Sequence, residues 1–475
     1  MESATLVTLV IITAAVATRW SVSLSPYSGA GKPPMFGDYE AQRHWMEITY
    51  HLPISDWYHN TTDNDLQYWG LDYPPLTAYH SWLCGYVADK IDPNWVALHN
   101  SRGHESYHHK LFMRYTVLVA DLLVYIPAVL AYYFWTVKGQ SNVQRLVSAS
   151  CVLLYPGLIL IDYGHFQFNN ISLGLTLWAV VAMATNHELL GAVAFVFALN
   201  YKQMELYHAL PFFCFLLGRC LRPLSPWRLI KIGIFTAAAF ALCWSPFITD
   251  RAQIFQVLHR VFPFARGLFE DKVSNVWCSL NILVKLRNQF SQDVLLKLSL
   301  ISTLVCLLPS SLDLLLRPSI QKFKYALINS SLIFFLLSYQ VHEKTILVVA
   351  LPVCLFLHEH PLLCTWFLFV SVFSMLPLLI KDGLVLPTLA LVALFLVVSK
   401  VNQSSWVNPP GEKQAPSFMF SLSLTLHPAS TPLPGSSSSS SSTSVQGHGK
   451  QTSRETQGGK SKKGGKRKQK THKAD

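Results

Sequence analysis

Long apolar runs with few charged residues recur along the first 400 residues of this 475-residue chain. Hydrophobic residues make up 51% of the sequence and charged residues only 13%, which is typical of a membrane protein. A helix needs about 20 residues to cross the apolar core of a bilayer. The sequence therefore predicts an all-α polytopic membrane protein with about twelve transmembrane helices, near residues 5–24, 112–134, 146–161, 171–186, 188–200, 206–220, 229–248, 294–316, 324–340, 344–358, 361–380 and 382–400.

The first run and the loop charges together predict the orientation. Residues 5–18 carry no charge, no basic segment precedes them and no clear Ala-x-Ala site follows, so they predict a retained span and not a removed signal peptide. Short cytoplasmic loops are usually rich in Lys and Arg. With the N-terminus in the cytoplasm, nine such residues fall in short cytoplasmic loops and three in the opposite ones. The nine are Lys138, Arg145, Arg219, Arg222, Arg228, Lys231, Arg317, Lys322 and Lys324, and the three are Lys202, Lys344 and Lys381. This orientation predicts that both termini are cytoplasmic and that residues 277–289 are interfacial.

The same orientation gathers five polar clusters on the opposite, non-cytoplasmic side. These are the loop 25–110, which is rich in Trp and Tyr and is expected on the membrane surface, the segments 162–170, 200–205 and 341–344, and a second loop at 249–291. The sequon at Asn60, Asn-Thr-Thr, falls on this side as well, so Asn60 is a candidate glycosylation site. Five polar clusters on one face indicate a functional site there.

The stretch 37–45, Gly-Asp-Tyr-Glu-Ala-Gln-Arg-His-Trp, begins the first loop with a carboxylate close to the membrane. On a helix, Glu40 would pair with His44, and Arg43 with Glu47, at i,i+4 spacing. Asp38 would then face only an amide, so we expect it to lack a charge partner and to suit the role of a general base. The alternative is an acid that simply marks the membrane boundary.

The segment 401–475 has a different composition. Seven consecutive serines at 436–442 precede a Lys- and Gly-rich run, which predicts a disordered cytoplasmic tail. Residues 445–475 carry a net charge of +8 out of +12 for the whole chain, so the basicity belongs to this tail and does not indicate a nucleic-acid-binding domain. Most of the nine cysteines lie in apolar runs and are expected to pack as small hydrophobic residues, and whether Cys84 and Cys278 pair stays open.

Three stretches, residues 36–47, 67–76 and 162–170, resemble the endoplasmic-reticulum glucosyltransferases of lipid-linked oligosaccharide assembly. The resemblance covers roughly residues 1–400, and the family continues beyond that point where this chain has the serine-rich segment. The ending Phe-Gln-Phe-Asn-Asn at 166–170 is similar to the enzyme that adds the first glucose. The resemblance implies a GT-C membrane fold, a lumenal site and dolichyl phosphate glucose as the donor. It also implies an inverting α-1,3 transfer to the nine-mannose oligosaccharide on dolichyl pyrophosphate.

The resemblance also implies roles for particular residues. The catalytic base of the family corresponds to Asp38. The resemblance also implies that His342, next to Glu343, binds the donor phosphate. The further candidates for substrate binding are Asp72, Glu343, Lys344, His165, Gln167, Lys202 and Glu270. Three alternatives remain open: Asp72 caps the helix that opens after Pro74 and Pro75, His342 is merely interfacial, and Glu270 and Asp271 pair with Arg266 and Lys272. No metal and no cofactor are expected, since the lipid-linked sugar is a substrate.

Two other functions fit parts of the pattern. One is the second-glucose enzyme of the same pathway, or a related transferase with another sugar. The other is a polytopic lipid or solute transporter, for which twelve spans alone would suffice. Transporters place polar groups near the middle of the bilayer on broken helices, whereas here they lie in loops on one side, with Asp121 as the main exception. The pattern therefore favours a membrane transferase.

Overall fold

The computed structural model describes residues 2–407 except residues 223, 263–272 and 340. This part of the chain contains twenty α-helices and no β-strand. The first ten are α1 (Glu2–Ser23), α2 (Asp38–His51), α3 (Pro75–Ile91), α4 (Tyr107–Ala120), α5 (Ile126–Ala131), α6 (Asn142–Leu153), α7 (Pro156–Ile159), α8 (Asn169–Ala184), α9 (Glu188–Tyr201) and α10 (Leu206–Leu221). The others are α11 (Pro226–Trp244), α12 (Arg251–Val261), α13 (Val276–Val284), α14 (Leu286–Gln289), α15 (Gln292–Leu316), α16 (Ile320–Leu337), α17 (Ile346–Cys354), α18 (Pro361–Ser374), α19 (Leu376–Lys381) and α20 (Val385–Val407).

Helix occupies most of each of the twelve predicted apolar segments within the described residues, and the prediction of an all-α polytopic membrane protein is confirmed. The helices differ in length. Within the described residues, seven helical stretches are long and apolar enough to cross a membrane: Thr5–Ser23, Tyr107–Thr136, Asn142–Phe166, Gln203–Leu221, Pro226–Trp244, Gln292–Leu316 and Val385–Ser404. Helices α8, α9 and α18 are apolar but shorter, with 14 to 16 residues each. The prediction of about twelve spans includes these shorter helices.

A buried ion pair explains the one charged residue that seemed out of place in an apolar segment. The Nε of Arg19, on α1, lies 2.5 Å from Oδ2 of Asp121, and both side chains are about 1% exposed. The Arg19 guanidinium also donates to the carbonyl of Leu153, and the hydroxyl of Tyr163 donates to the same Asp121 oxygen. The Arg19–Asp121 pair therefore joins four segments of the bundle. This structural role gives no support to a transport pathway through Asp121.

The loop 25–110 contains helices α2 and α3, which pack against each other. Trp45, Trp57 and Trp95 are buried, the first two in a small core that also includes Phe247 and Val257. The position of this loop on the membrane surface stays a prediction. The rings of Trp45 and Trp57 join the first loop to α12.

Local sequence explains where the helices around the site begin. Helix α3 opens at Pro75, as the two prolines predict, because proline is tolerated in the first turn. Residues 160–166, between α7 and α8, form a π-helical turn, a wider form of helix that is frequent at functional sites. Phe166 has a φ of 89°, a left-handed conformation that is rare for a bulky residue, so the chain turns sharply between His165 and Gln167.

Several predictions fall on other parts of the chain. Residues 408–475, Glu270, Asp271, Arg266 and Lys272 lie outside the described residues, so the predicted tail and the predicted pairing at 266–272 stay predictions. Helix α20 continues to Val407, past the predicted domain boundary at residue 400. Cys84 is a buried free thiol, so Cys84 and Cys278 do not form a disulfide with each other.

Candidate active site

A cavity of about 750 Å³ lies beside the N-terminus of α2. Its polar lining includes Asp38, Gln42, Asp72, Gln167, Lys202 and Lys344, which come from the polar segments predicted to share one side. Its apolar lining comes largely from α10, α15 and α16 and includes Leu206, Leu296, Leu300 and Phe334. Because α15 is one of the seven candidate spans, the apolar wall connects the polar site with the membrane-spanning part of the bundle. Such a cavity suits a ligand with a polar head and a hydrocarbon chain.

Asp38 is the first residue of α2, and its carboxylate meets three partners from distant parts of the chain. The Nζ of Lys344 lies 2.5 Å from Oδ2, the Nε2 of Gln167 donates to Oδ2 at 2.7 Å, and the Nε2 of His165 lies 3.0 Å from it. The expectation that Asp38 lacks a charge partner is therefore wrong. A local sequence argument can test only neighbours on the same helix, whereas Lys344 is 306 residues away from Asp38.

The two oxygens of this carboxylate have different surroundings. Among the described residues, every polar contact with the Asp38 carboxylate falls on Oδ2. The side chain is 27% exposed and borders the cavity, so Oδ1 can be reached by a ligand there. Asp38 is thus fixed by one oxygen while the other remains available to a substrate hydroxyl.

The charge of Asp38 is set by opposing effects. Burial alone would raise the pKa of this carboxyl group, since it disfavours the charged form. The positive charge of Lys344 and the contact with His165 outweigh burial and hold the pKa well below its usual range. Asp38 is therefore ionised at neutral pH, as a base must be, but Lys344 weakens its affinity for a proton.

His165 is fixed from both sides of its ring. Its Nδ1 lies 2.6 Å from Oδ2 of Asp382, which is almost fully buried, and its Nε2 faces Asp38 and also lies 3.1 Å from the Nζ of Lys344. Asp382 follows α19 and was not among the predicted site residues. The signal in the sequence was an acid beside Lys381 that interrupts an apolar segment on the side of the site.

A second network fixes Lys202. Its Nζ donates to Oδ1 of Asn169 at 2.5 Å and to Oε1 of Gln167 at 3.2 Å, and the ammonium lies 5.3 Å from the centre of the Tyr73 ring. The Asn169 amide in turn donates to Asp162. Burial lowers the pKa of Lys202 below its ordinary value, although the charge of Asp162 opposes this shift. Gln167 therefore bridges Lys202 and Asp38, and the network leaves a cation at the cavity wall.

Asp162 anchors the polar segment on which this network depends. One of its oxygens accepts from the backbone nitrogen and the side-chain amide of Asn169, and the other accepts from the backbone nitrogen of Asn170. These bonds satisfy two backbone N–H donors at the start of α8 that have no acceptor within the helix. Asp162 is completely buried, so its role is to fix the segment that carries His165 and Gln167.

The other predicted residues are placed as follows. Asp72 and His342 line the cavity, whereas Glu343 begins the one-turn helix Glu343–Thr345 and is not part of the lining. The N-cap of α3 is Pro74, so Asp72 is not the N-cap residue of that helix.

A cluster of buried ion pairs on helix α2 fixes this helix beside the site. The predicted Arg43–Glu47 pair is present at 2.7 Å, but Glu40 pairs with Arg43 and not with His44, which instead contacts Glu47 at 3.1 Å. The Arg43 guanidinium also donates to the hydroxyl oxygen of Ser101. This buried cluster joins α2 to the end of the first loop and so fixes the position of Asp38.

An ionised carboxylate among lysines, beside a partly apolar cavity in a helical bundle with candidate membrane spans, suits a membrane transferase that acts on a lipid-linked substrate. Residues 9–434 match the model of the ALG6, ALG8 glycosyltransferase family, and the chain belongs to this family. This membership confirms the resemblance predicted from the three sequence stretches and identifies the chain as a glycosyltransferase of the GT-C class.

Relatives from distant organisms carry the same description. The chain is 59% identical to the dolichyl pyrophosphate Man9GlcNAc2 alpha-1,3-glucosyltransferase of Gallus gallus, over 82% of this chain and 77% of that protein. It is 55% identical to the protein of the same name from Rattus norvegicus, over 91% and 86% of the two chains. A probable enzyme of this name from Drosophila melanogaster is 49% identical over 81% and 82%.

Proposed function

We propose that this chain transfers the first glucose, in α-1,3 linkage, from dolichyl phosphate glucose to the nine-mannose oligosaccharide on dolichyl pyrophosphate. The names of the relatives support the acceptor and the linkage. The observation that carries the proposal is the position of Asp38, whose carboxylate borders a cavity with lysines on one wall and an apolar surface on another.

Asp38 acts as the general base. The 3-hydroxyl of the acceptor attacks the anomeric carbon of the glucose, and the lipid phosphate leaves from the opposite face with the electrons of the bond that breaks. The β-linked donor therefore gives an α-linked product. Asp38 takes the hydroxyl proton, for which Oδ1 is available. A phosphate is already a good leaving group, so positioning, a base and positive charge are the main contributions required of the protein.

The cations of the cavity bind the donor phosphate. Lys344, His342 and Lys202 all line the cavity and come from two segments on either side of Gln167 and Asp38. When the donor phosphate binds the ammonium of Lys344, the lysine gives up its contact with the Asp38 carboxylate and pairs with the phosphate. Asp72, on the opposite loop, is available to the acceptor or glucose hydroxyls.

The apolar wall accepts the lipid chain of the donor. Leu206, Leu296, Leu300 and Phe334 offer hydrocarbon surface on three helices, and α15 gives the wall continuity with the bilayer. Burial of each CH₂ group stabilises binding by about 0.8 kcal/mol. A water-soluble sugar nucleotide would leave this wall uncovered, which argues for a lipid-linked donor.

The site faces the lumen of the endoplasmic reticulum, and the two termini are cytoplasmic. The loop charges, nine against three, support this orientation, as does the position of Asn60 on an exposed part of the first loop. Catalysis requires neither a metal ion nor a cofactor, since the lysines provide the charge that the phosphate needs.

One assay tests this function. Purified protein in detergent is given dolichyl phosphate glucose and the nine-mannose lipid acceptor, with dolichyl phosphate mannose and a one-glucose acceptor as the paired alternatives. We expect glucose transfer to the acceptor that carries no glucose. Preference for the one-glucose acceptor would assign the chain to the second-glucose reaction, and absence of transfer from any dolichyl phosphate sugar would refute the proposal.

A further inference from the structure

We infer that Asp382 is a positioning residue that orients His165, and that His165 shares with Asp38 the proton removed from the acceptor hydroxyl. This inference rests on the proposed function, because it assigns a second proton acceptor to the same reaction. It concerns a carboxylate–imidazole–carboxylate chain, Asp382–His165–Asp38, that runs from the bundle interior to the cavity.

The fold builds this chain from three remote segments. Asp382 lies in the turn between α19 and α20, where Gly383 has a φ of 73°, a conformation that glycine adopts without strain. The next residue, Leu384, packs against Gly164, where a Cβ atom would lie 2.7 Å from the leucine Cδ1. The absence of a side chain at Gly164 therefore lets the turn approach the segment that carries His165.

The hydrogen bonds define the tautomer of His165. A carboxylate only accepts, so the 2.6 Å contact with Asp382 requires the hydrogen on Nδ1. In the neutral ring Nε2 then has a free lone pair, which accepts from Lys344 at 3.1 Å. The same ammonium donates to Oδ2 of Asp38 at 2.5 Å, so Lys344 lies between two proton acceptors that are 3.0 Å apart.

Donor binding changes this arrangement. When Lys344 turns to the donor phosphate, Oδ2 of Asp38 and Nε2 of His165 face each other without a hydrogen between them. Two such acceptors repel, and a proton between them removes the repulsion. The pair therefore becomes a stronger base when the donor is in place, and the resting enzyme keeps this basicity masked.

The proton that leaves the acceptor hydroxyl stays within the site until the product is released. The O–H bond of the acceptor breaks as its oxygen bonds to the anomeric carbon, and the bond from that carbon to the phosphate oxygen breaks with its electrons. The proton moves to the carboxyl group of Asp38, whose rotation about Cβ–Cγ presents it to Nε2 of His165. His165 then carries the charge, paired with Asp382, until product release returns the proton to water.

The groups that face His165 limit how its titration can be interpreted. They are Asp38 from α2, Lys344 from the turn before α17, and Asp382 from the turn before α20. Arg114, from α4, donates to the carbonyl of Gly164 and lies over the Phe166 ring, next to His165 in sequence. Of these, Asp382 is the group that contacts only the far side of the ring, so its substitution leaves the cavity wall unchanged.

The test is Asp382→Asn in the purified full-length enzyme. We expect the KM for the donor to stay within about twofold and kcat to fall roughly 10- to 100-fold, the range found where a carboxylate orients a histidine in metal sites. The acid limb of the kcat profile should also move to lower pH, because loss of a negative charge disfavours protonation of the pair. Asp89→Asn is the matched control, since the Asp89 carboxylate contacts Tyr50 and Lys90 and is not part of the cavity lining.

A double-mutant cycle with His165→Gln separates positioning from folding. If Asp382 acts through His165, then adding Asp382→Asn to the His165→Gln enzyme has no further effect on kcat or on the pH profile. Should Asp382→Asn alone not be extracted as folded protein, His165→Gln must still lower kcat and move its acid limb to lower pH, toward that of Asp38 alone. An active wild-type enzyme in which Asp382→Asn changes neither kcat nor the pH profile would overturn the inference while leaving the proposed function intact.

Discussion

The Nζ of Lys344 lies 2.5 Å from Oδ2 of Asp38, although 306 residues separate them in sequence. The base and a cation for the donor phosphate are therefore neighbours before any substrate is bound. Each satisfies the other in the resting site, and the donor phosphate must compete for the lysine. Binding of the donor and activation of the base are coupled in this arrangement.

Lys344→Gln tests that coupling through the pH profile. Lys344 is the main influence that holds the pKa of Asp38 low against the effect of burial, so its removal should raise that pKa. Because the ionised carboxylate is the active form, the acid limb of kcat/KM for the free enzyme should move to higher pH, and the KM for the donor should rise. Lys381→Gln, at an exposed lysine on the same face, is the control. An unchanged acid limb in Lys344→Gln would mean that Lys344 does not set the charge of Asp38.

Much of the fold followed from sequence, because a membrane span must be long, apolar and helical. Helix α3 at Pro75 and the Arg43–Glu47 pair were likewise set by local rules. The prediction of about twelve spans includes short apolar helices such as α9, beside the seven helical stretches that are long enough to cross a bilayer alone. Hydropathy could not give the length of each helix, because a short helix can be as apolar as a long one.

The site was predicted in part. Asp38, Gln167, Lys202 and Lys344 do line one cavity, as the gathering of polar loops on one side indicated. The contact of Lys344 with Asp38 and the presence of Asp382 behind His165 were missed. Both depend on turns that bring distant segments together, and no spacing along the chain encodes them.

Asn60 offers a test of the orientation. Asn60 is exposed and its side-chain Oδ1 accepts from the backbone nitrogen of Leu66, while its sequon lies in the loop that we place in the lumen. We expect endoglycosidase to increase the mobility of the membrane-expressed protein, and Asn60→Gln to abolish that shift. A tag at the C-terminus should be digested by protease added to the cytosolic side of sealed microsomes. A protected tag would require an odd change in the number of spans.

Catalysis should not depend on a metal ion. No group of three or more His, Cys, Asp or Glu side chains suited to a metal occurs among the described residues, and Lys202 and Lys344 can neutralise one phosphate. Glucose transfer should therefore survive a strong chelator such as EDTA at millimolar concentration. Loss of activity that added manganese or magnesium restores would contradict this prediction and make Asp72 or Glu343 candidate ligands.

Substrate binding should depend on the other polar residues of the cavity. Asp72→Asn and His342→Ala are expected to raise the KM or to lower both kinetic parameters, since we assign them positioning and phosphate binding. Their effects should appear in the binding of a non-transferable donor analogue, whereas a residue that acts only in the chemical step leaves that binding unchanged. Normal analogue binding and normal KM in both variants would remove them from the substrate site.

The most direct test of the account is the turnover of Asp38→Asn with the donor and the nine-mannose acceptor. The amide keeps the size of the side chain and removes its basicity, and general acid–base groups contribute typically about 10²–10⁴-fold. We predict that kcat falls by about this factor while the yield of detergent-extracted protein and the binding of the donor change little. A well-folded Asp38→Asn enzyme with near-normal turnover, beside an inactive Asp72→Asn enzyme, would show that the base is Asp72 and contradict the central assignment.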